Sequence, residues 1–306
     1  MIAGHFLLAF TLAGAIAVAL GYEKDKALYL AVFAGGFSII PDVDMIYGIK
    51  GVVLALESGP GGFPGTFWTV SNRVHRGLSH SLVTGLAASI GFTAYFIRNK
   101  ISVASAVTGL LVATAFVFED FVGAVVMLAF SVIGLALAEK AQGKMSSKEF
   151  FSIASLGLLS HPFGDFFTGT PPELFFPLTN AVKESRIVLN QDPVLNLLSI
   201  FGLELSLGLS ALILGLYLKE IPVKEKISPL VALGGLYGFA FYLIPAPTLA
   251  ASYSFVFSIL GYGVVVPAYH FKSMKKDIED LLTVGLNYVL TIAVALATYI
   301  LIYVVA

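Results

Sequence analysis

Short clusters of histidine and acidic residues interrupt an otherwise apolar chain. They are His5 near the amino terminus, Pro-Asp-Val-Asp at 41–44, His-Arg-Gly-Leu-Ser-His at 75–80, and His-Pro-Phe-Gly-Asp at 161–165. Imidazole nitrogens and carboxylate oxygens are side-chain groups that bind divalent metal ions. Ionisable groups close to membrane segments are costly to keep there and commonly serve a function. Together the clusters predict a metal site at the edge of a membrane bundle.

The cluster at 161–165 has the most informative spacing. His161 and Asp165 are four residues apart, which on a helix puts both on one face, about 6 Å apart along the axis. Two ligands with this spacing can share one ion. Pro162 disfavours helical dihedrals at His161, so we expect His161 at a kink or just before a helix that starts at Pro162. The alternative is a helix-terminal histidine with a capping aspartate.

The middle cluster is less regular. His75 and His80 would point about 140° apart on a continuous helix, so we expect His75 in a loop and His80 in the first helical turn. Arg76 offers a planar donor fork suited to phosphate, although a lone arginine can also anchor at the membrane interface. Ser79 and Ser81 are expected to cap the helix or to bond locally.

Asp42 and Asp44 directly follow an apolar segment. On an extended backbone they would lie on opposite sides. One carboxylate could then ligate a metal while the other orients a ligand or accepts a proton. The alternative is a turn begun by Pro41, in which the aspartates bind backbone amides.

Composition indicates the class of protein that must position these residues. The chain has 306 residues, of which 58% are hydrophobic and 12% charged, whereas soluble domains carry about 25% charged residues. It has no cysteine, which excludes disulfides and thiolate metal sites. The net charge of −1 offers no basic surface for nucleic acid, so no nucleic-acid partner is expected. The chain is therefore predicted to be an integral membrane protein.

Hydropathy predicts an all-α polytopic membrane bundle of about ten transmembrane helices, since about 20 apolar residues cross the hydrocarbon core. The predicted spans are 4–21, 27–41, 78–97, 101–118, 122–138, 149–167, 194–218, 228–245, 249–269 and 283–304. The shorter spans 27–41 and 101–118 are alternatively tilted or partly re-entrant. The first segment lacks the basic residues that precede a signal peptide's core, so it is expected to be retained.

This alternation places every cluster on one membrane face. Glu119 and Asp120 fall on the same face, between the fourth and fifth predicted spans. The opposite face receives 13 of the 18 lysine and arginine residues. Because cytoplasmic loops carry an excess of these residues, the metal site is predicted to face outward from the plasma or inner membrane.

The clusters in order resemble a known family. An early histidine, PDxD, HRGxxHS and HPxxDxxT (here His161 to Thr168) resemble the YdjM-like membrane-bound metal-dependent hydrolases. The resemblance covers about residues 1–170. The ligand order is also similar to that of zinc-dependent phospholipase C and the fungal single-strand nucleases. Those helical enzymes hydrolyse phosphodiesters with a multi-zinc cluster.

The resemblance implies a set of metal ligands. They are His5, Asp42, either His75 or His80, His161 and Asp165, holding divalent ions for which zinc ranks first and manganese or iron are alternatives. Asp44 and the second of the two histidines are predicted as further metal ligands. The resemblance makes Asp165 the candidate bridge and Asp44 or Asp42 the base, while Arg76 would hold the phosphate.

The chain lacks the later ligands of the soluble enzymes. Its only later histidine is His270, on the opposite face beside lysines. One or two ions are therefore expected, with Glu173 and Asp192 as further candidate ligands.

The predicted organisation is a hydrolase-like membrane core at 1–185 and additional membrane helices of unknown role at 186–306. The predicted function is a membrane-embedded metal-dependent hydrolase. It is expected to be a phosphoesterase acting on a lipid or lipid-linked phosphate ester, with membrane lipid as its surroundings. Aromatic residues in segments 57–74 and 169–185 would wall a lipid-entry cleft. The alternative is a divalent-metal transporter or a structural metal-binding membrane protein, in which Glu204 could extend an ion path.

Overall fold

The protein is helical throughout the part of the chain that its structure describes. The structure, a computed structural model, describes residues 2–47, 54, 76–98, 100–167, 171–179, 186–243, 248–271 and 277–305. These ranges contain α-helices, short 3-10 helices and no β-strand. The predicted all-α class is therefore confirmed.

Ten α-helices lie within the described ranges. They are α1 (Ile2–Ala19), α2 (Lys24–Ser38), α3 (Leu82–Phe96), α4 (Ile101–Ala141), α5 (Ser147–Asp165), α6 (Pro193–Leu218), α7 (Leu233–Leu243), α8 (Leu249–Tyr262), α9 (Val265–Phe271) and α10 (Ile278–Val305). The 3-10 helices are Pro41–Tyr47, Leu78–His80, Val223–Lys226 and Pro229–Ala232. The chain forms two compact units, the first from Met1–Ala17 with Tyr29–Ile187 and the second from Val18–Leu28 with Val188–Ala306.

Five helical segments of the described chain are long and apolar enough to cross a membrane. They are Lys24–Met45, Ile101–Ala141, Pro193–Leu218, Leu249–Tyr269 and Ile278–Val305, and shorter apolar helices lie at Gly4–Ala19, Leu82–Phe96 and Pro229–Leu243. Many large apolar side chains on these helices are exposed, among them Leu110, Val117 and Phe121. Lipid is the solvent that such surfaces require. The chain is an integral membrane protein, and the number of its crossings stays a prediction.

Helix α4 folds back on itself at Asp120. The backbone leaves helical dihedrals there, with φ 69° and ψ −168°. Gly91 of α3 packs against Val107, and the neighbouring Phe92 packs against Gly134. A straight helix would hold residues 107 and 134 roughly 40 Å apart, so the two limbs of α4 must run antiparallel. The limbs correspond to the two helices predicted on either side of Asp120.

The segment that carries Asp42 and Asp44 is not extended. Helix α2 ends at Ser38, and Pro41–Tyr47 forms a 3-10 helix. Proline at the first position has its φ fixed near −65° and has no N–H to satisfy, and both properties suit the start of a helical turn. The extended alternative for the two carboxylates is therefore wrong.

Helix α5 runs from Ser147 to Asp165 and contains Pro162. Its start is fixed by a capping box at Ser146. The proline lies in the last turn, where it removes only one hydrogen bond of a helix that is already formed. A helix beginning at Pro162 is therefore wrong, and His161 and Asp165 share one helical face as their spacing predicts.

The second unit has an aliphatic and aromatic core of its own. Its buried members include Val194, Leu198, Phe255, Ile292 and Tyr299. Gly234 and Gly238 bring α7 against the backbone of α10, because a Cβ at either position would collide with the carbonyl group of Thr291 or Ala295. The additional helices thus pack into a body that does not depend on the histidine clusters for its interior.

Among the described residues, the other acidic candidates do not belong to the histidine and aspartate groups that could hold a metal ion. Asp192 caps α6 by accepting a hydrogen bond from the backbone N–H of Leu195. That bond and one from the Tyr303 hydroxyl lower the pKa of the Asp192 carboxyl. Glu173 and Glu204 are half-buried, in the segment 171–179 and in α6. His270 lies in α9.

Candidate metal centre

Six of the seven predicted metal ligands come together in the first unit. They are His5 from α1, Asp42 and Asp44 from the 3-10 helix Pro41–Tyr47, His80 from the 3-10 helix Leu78–His80, and His161 and Asp165 from α5. Five are buried, and Asp42 is half-buried. The seventh, His75, lies outside the described residues. Residues far apart in sequence therefore meet in one buried cluster.

Four donor atoms form a compact group within this cluster. His80 Nε2 lies 3.8 Å from Asp42 Oδ1 and 3.4 Å from Asp165 Oδ2. His161 Nε2 lies 3.8 Å and 3.6 Å from the same two oxygens. A tetrahedral zinc ion with ligands at about 2.0–2.1 Å would separate them by about 3.3–3.4 Å. The four-atom group is therefore close to the size that one divalent ion requires.

The end of α2 fixes the orientation of the His161 ring. His161 Nδ1 lies 2.5 Å from the carbonyl oxygen of Ser38. A carbonyl only accepts, so Nδ1 carries the proton and Nε2 presents its lone pair to the four-atom group. Gly157 allows this approach, because a Cβ there would lie 2.5 Å from the carbonyl oxygen of Ala34.

Asp44 and Ser79 support His80 in the same way. Asp44 Oδ2 lies 3.2 Å from His80 Nδ1, and Ser79 Oγ lies 2.9 Å from the same nitrogen. Ser79 also donates to Asp44 Oδ2 at 2.9 Å. Because both contacts are on Nδ1, His80 Nε2 faces the four-atom group. Asp44 thus supports His80, and its carboxylate also forms, with Asp42 and His80, a group whose donor atoms lie within 4.8 Å of one another.

Asp165 divides its two oxygens between partners. Arg76 Nη2 donates to Oδ1 at 2.9 Å, and Arg76 Nη1 donates to the backbone carbonyl oxygen of Asp165. Oδ1 also faces His5 Nε2 at 3.5 Å. Oδ2 is left to face His80 and His161. Arg76 therefore binds a candidate ligand, and its predicted contact with a phosphate stays a prediction.

His5 lies beside the four-atom group. Its ring stacks on that of His161 with centroids 3.8 Å apart. Gly164 makes room for it, since a Cβ there would lie 2.7 Å from the His5 ring. His5, Asp42 and His161 also have donor atoms within 4.8 Å of one another. His5 is thus placed either to complete the first ion's ligands or to help hold a second ion.

The charges of the cluster favour a cation. Asp42, Asp44 and Asp165 outnumber Arg76 when the carboxyl groups are ionised. His80 is fully buried, and carboxylate oxygens of Asp42, Asp44 and Asp165 lie 3.2–3.8 Å from its ring nitrogens. Buried carboxylates this close together need positive charge nearby. A divalent cation would supply that charge.

Several buried polar atoms of the cluster have no hydrogen-bond partner in the part of the chain that is described. They are His5 Nδ1, Asp42 Oδ2, His161 Nε2 and Asp165 Oδ2. Buried polar atoms are nearly always bonded, so this concentration in one place indicates a partner beyond the described residues. Two of these atoms belong to the four-atom group, and a bound cation fits both.

Contacts that support the centre include some that the sequence did not predict. The carbonyl group of Ser38 is one, and the carboxylate of Glu119, which accepts from the backbone N–H of Leu78 at 2.5 Å, is another. Ser79 forms local hydrogen bonds, as predicted, and its partners are Asp44 and His80. Ser81 caps α3 by accepting from the N–H of Thr84, which confirms the predicted cap.

Membrane helices that enclose a buried cluster of histidine and aspartate define an integral membrane protein with a candidate metal centre. The chain belongs to the YdjM inner membrane protein family, whose model matches residues 1–303. The family resemblance therefore continues past the motif-bearing region into the additional helices. No curated protein and no solved structure matches the chain.

Proposed function

We propose that this inner membrane protein is a metal-dependent hydrolase that cuts a phosphate ester of a lipid or lipid-linked substrate. The four-atom group of His80, His161, Asp42 and Asp165 carries the proposal. Its nitrogen and oxygen atoms lie 3.4–3.8 Å apart across the group. Both histidines and Asp165 also bond to groups outside the four-atom group, and proteins orient metal ligands by such outer contacts.

The donor set supports zinc as the metal. Two imidazole nitrogens and two carboxylate oxygens suit zinc at four-coordinate sites, and manganese and iron accept the same donors. When bound, the ion would lower the pKa of a water towards about 7 and neutralise charge on a phosphoryl oxygen.

Asp42 is the residue that we assign to proton transfer. Its Oδ1 belongs to the four-atom group, whereas its Oδ2 is buried without a hydrogen-bond partner among the described residues. A carboxylate oxygen beside the reacting water can accept its proton. Asp44 is occupied by Ser79 and His80, so we assign it to positioning His80 rather than to catalysis.

A lipid substrate is supported by the position of the cluster along the helices. The candidate ligands lie at or just beyond the ends of α2 and α5, near the start of α3. Phe176 packs against Phe118 of α4, and Phe175 and Leu178 nearby are exposed. Aromatic and apolar groups at a helix end favour the lipid headgroup level. The excess of lysine and arginine on the other predicted face supports an outward-facing site.

Metal analysis of the purified protein tests the proposal. The wild-type protein is expected to carry stoichiometric zinc, manganese or iron, and His161→Ala and Asp165→Ala are expected to lose it. Asp25→Ala is the control, because it removes an exposed carboxylate of the second unit. A wild-type protein that binds none of these metals would end the proposal.

Hydrolysis is measured next, with a chromogenic phosphodiester and with phospholipid vesicles. Asp42→Asn is expected to lose activity while its thermal unfolding stays close to wild type. Metal flux into proteoliposomes without any hydrolysis would instead indicate a carrier.

A further inference from the structure

Glu119 connects the apex of α4 to the turn that carries His80. Its Oε1 accepts a hydrogen bond from the backbone N–H of Leu78 at 2.5 Å. Leu78 is 1% exposed and begins the 3-10 helix that ends at His80. The residue before it, Gly77, has no side chain with which to cap this helix. Glu119 therefore caps the turn from another part of the chain.

The N–H of Leu78 needs this acceptor. A helical turn cannot satisfy its own first N–H groups, and a buried N–H without a partner is strongly unfavourable. The later N–H groups of His80 and Ser81 are satisfied within the turn, by the carbonyl oxygens of Gly77 and Leu78. The carboxylate of Glu119 thus does for the turn what an N-cap side chain does for an ordinary helix.

The apex of α4 directs Glu119 towards the turn. The next residue, Asp120, has dihedrals that are essentially restricted to glycine, and its side chain accepts from the N–H of Val122 at 2.7 Å. Gly123 lies against the Glu119 side chain, where a Cβ would collide with it. The reversal of the chain therefore holds the Glu119 carboxylate in one place.

We propose that Glu119 is a positioning residue of the metal centre. It holds the turn between Arg76 and His80, so that Arg76 meets Asp165 and His80 meets the other donors. This inference rests on the proposed metal binding. Glu119 acts through its hydrogen bond to the turn, so a glutamine, which keeps an acceptor oxygen of the same reach, replaces it.

The test compares Glu119→Ala, Glu119→Gln and a control. Glu139→Ala is the control because it removes an exposed glutamate at the other end of the same helix, where it pairs with Arg98. Zinc affinity is measured by competition with a chelator, and cobalt absorption reports the coordination geometry. Glu119→Ala should weaken zinc binding about 10–100-fold and alter the cobalt spectrum. Glu119→Gln keeps the acceptor and should lose clearly less affinity than Glu119→Ala, and Glu139→Ala should stay close to wild type.

Three outcomes would overturn the inference. They are wild-type affinity in Glu119→Ala, an equal loss in Glu119→Gln, and an equal loss in Glu139→Ala. If Glu119→Ala does not fold, Glu119→Met takes its place, because methionine has a similar length and lacks the acceptor.

Amide hydrogen exchange at Leu78 separates this inference from the proposed function. The amide should be protected in the wild type and in Glu119→Gln, and should exchange faster in Glu119→Ala. If the wild type binds no metal, the proposed function fails, and the exchange rates alone decide whether Glu119 holds the turn. Equal rates in all variants would show that it does not.

Discussion

Replacing Asp44 tests how much zinc affinity depends on the contacts that orient the His80 ring. Asp44 is fully buried, accepts a hydrogen bond from Ser79 and faces His80 Nδ1 at 3.2 Å. Asparagine keeps an acceptor oxygen and removes the charge. Hydrogen bonds to charged groups contribute about 1.5–3 kcal/mol and neutral ones about 0.5–1.5 kcal/mol. Asp44→Asn should therefore lose about 1–1.5 kcal/mol, or about tenfold in the zinc Kd.

Asp44→Leu should have a larger effect, because it removes the acceptor as well. The Ser79 hydroxyl and the His80 Nδ1–H then both lose this partner inside the protein. We expect zinc affinity to fall about 100-fold, which is the upper end of the effect of removing a residue that bonds to a metal ligand. The assay is chelator competition on the solubilised protein, with zinc stoichiometry measured at saturation.

Asp165→Asn provides the comparison that can refute this reasoning. Asp165 Oδ2 belongs to the four-atom group, so its loss should abolish stoichiometric zinc, whereas both Asp44 variants should still reach full stoichiometry. An Asp44→Asn protein as empty as Asp165→Asn would make Asp44 a ligand. Wild-type affinity in Asp44→Leu would show that His80 is not part of the zinc site.

Three further predictions concern the packing around the centre. Gly157→Ala would place a Cβ 2.5 Å from the Ala34 carbonyl oxygen. It should cost about 1–3 kcal/mol of stability and weaken zinc binding, whereas Gly109→Ala, which meets nothing within 4 Å, should do neither. Asp120→Gly should be more stable than Asp120→Ala by about 1–3 kcal/mol in thermal unfolding. Both variants lose the side-chain hydrogen bond, but only alanine keeps the strained backbone dihedrals of residue 120. Equal stability of the two variants would contradict this strain. Zinc at about 1,000 times its Kd should stabilise the wild type by about 4 kcal/mol, and a chelator should lower the Tm of the wild type and not that of Asp165→Ala.

The identity of the clustered residues could be predicted because the rest of the chain is so apolar. A histidine or an aspartate next to a membrane helix needs a partner, and the predicted alternation of the helices puts the clusters on one face. Their roles could not be predicted in the same way. Whether Asp44 or Asp42 meets the four-atom group depends on the 3-10 turn after Pro41, which the spacing of the two aspartates does not determine.

The sequence does not predict the contacts that residues outside the motifs make with the metal centre. The Ser38 carbonyl group that orients His161 is backbone, and any residue at that position would offer it. For Glu119 the sequence predicts only a polar residue at the shared face, because its hydrogen bond to Leu78 requires the apex of α4 to meet a turn far away in sequence. The sequence does signal the start of α5, since Ser146 and the glutamate three residues later form a capping box, whereas Pro162 signals a break near its other end.

The order of the donors along the chain has a consequence for biosynthesis. Asp42 and His80 leave the ribosome long before His161 and Asp165, which lie in the last turn of α5. A nascent chain that has inserted only α1 to α4 therefore holds half of the four-atom group. A metal ion bound to all four donors would crosslink positions that are far apart in the sequence. Such a crosslink closes a long loop and therefore restricts the unfolded chain strongly. All four donors can bind one ion only after α5 is complete, so a chain truncated before His161 should bind zinc more weakly than the whole protein.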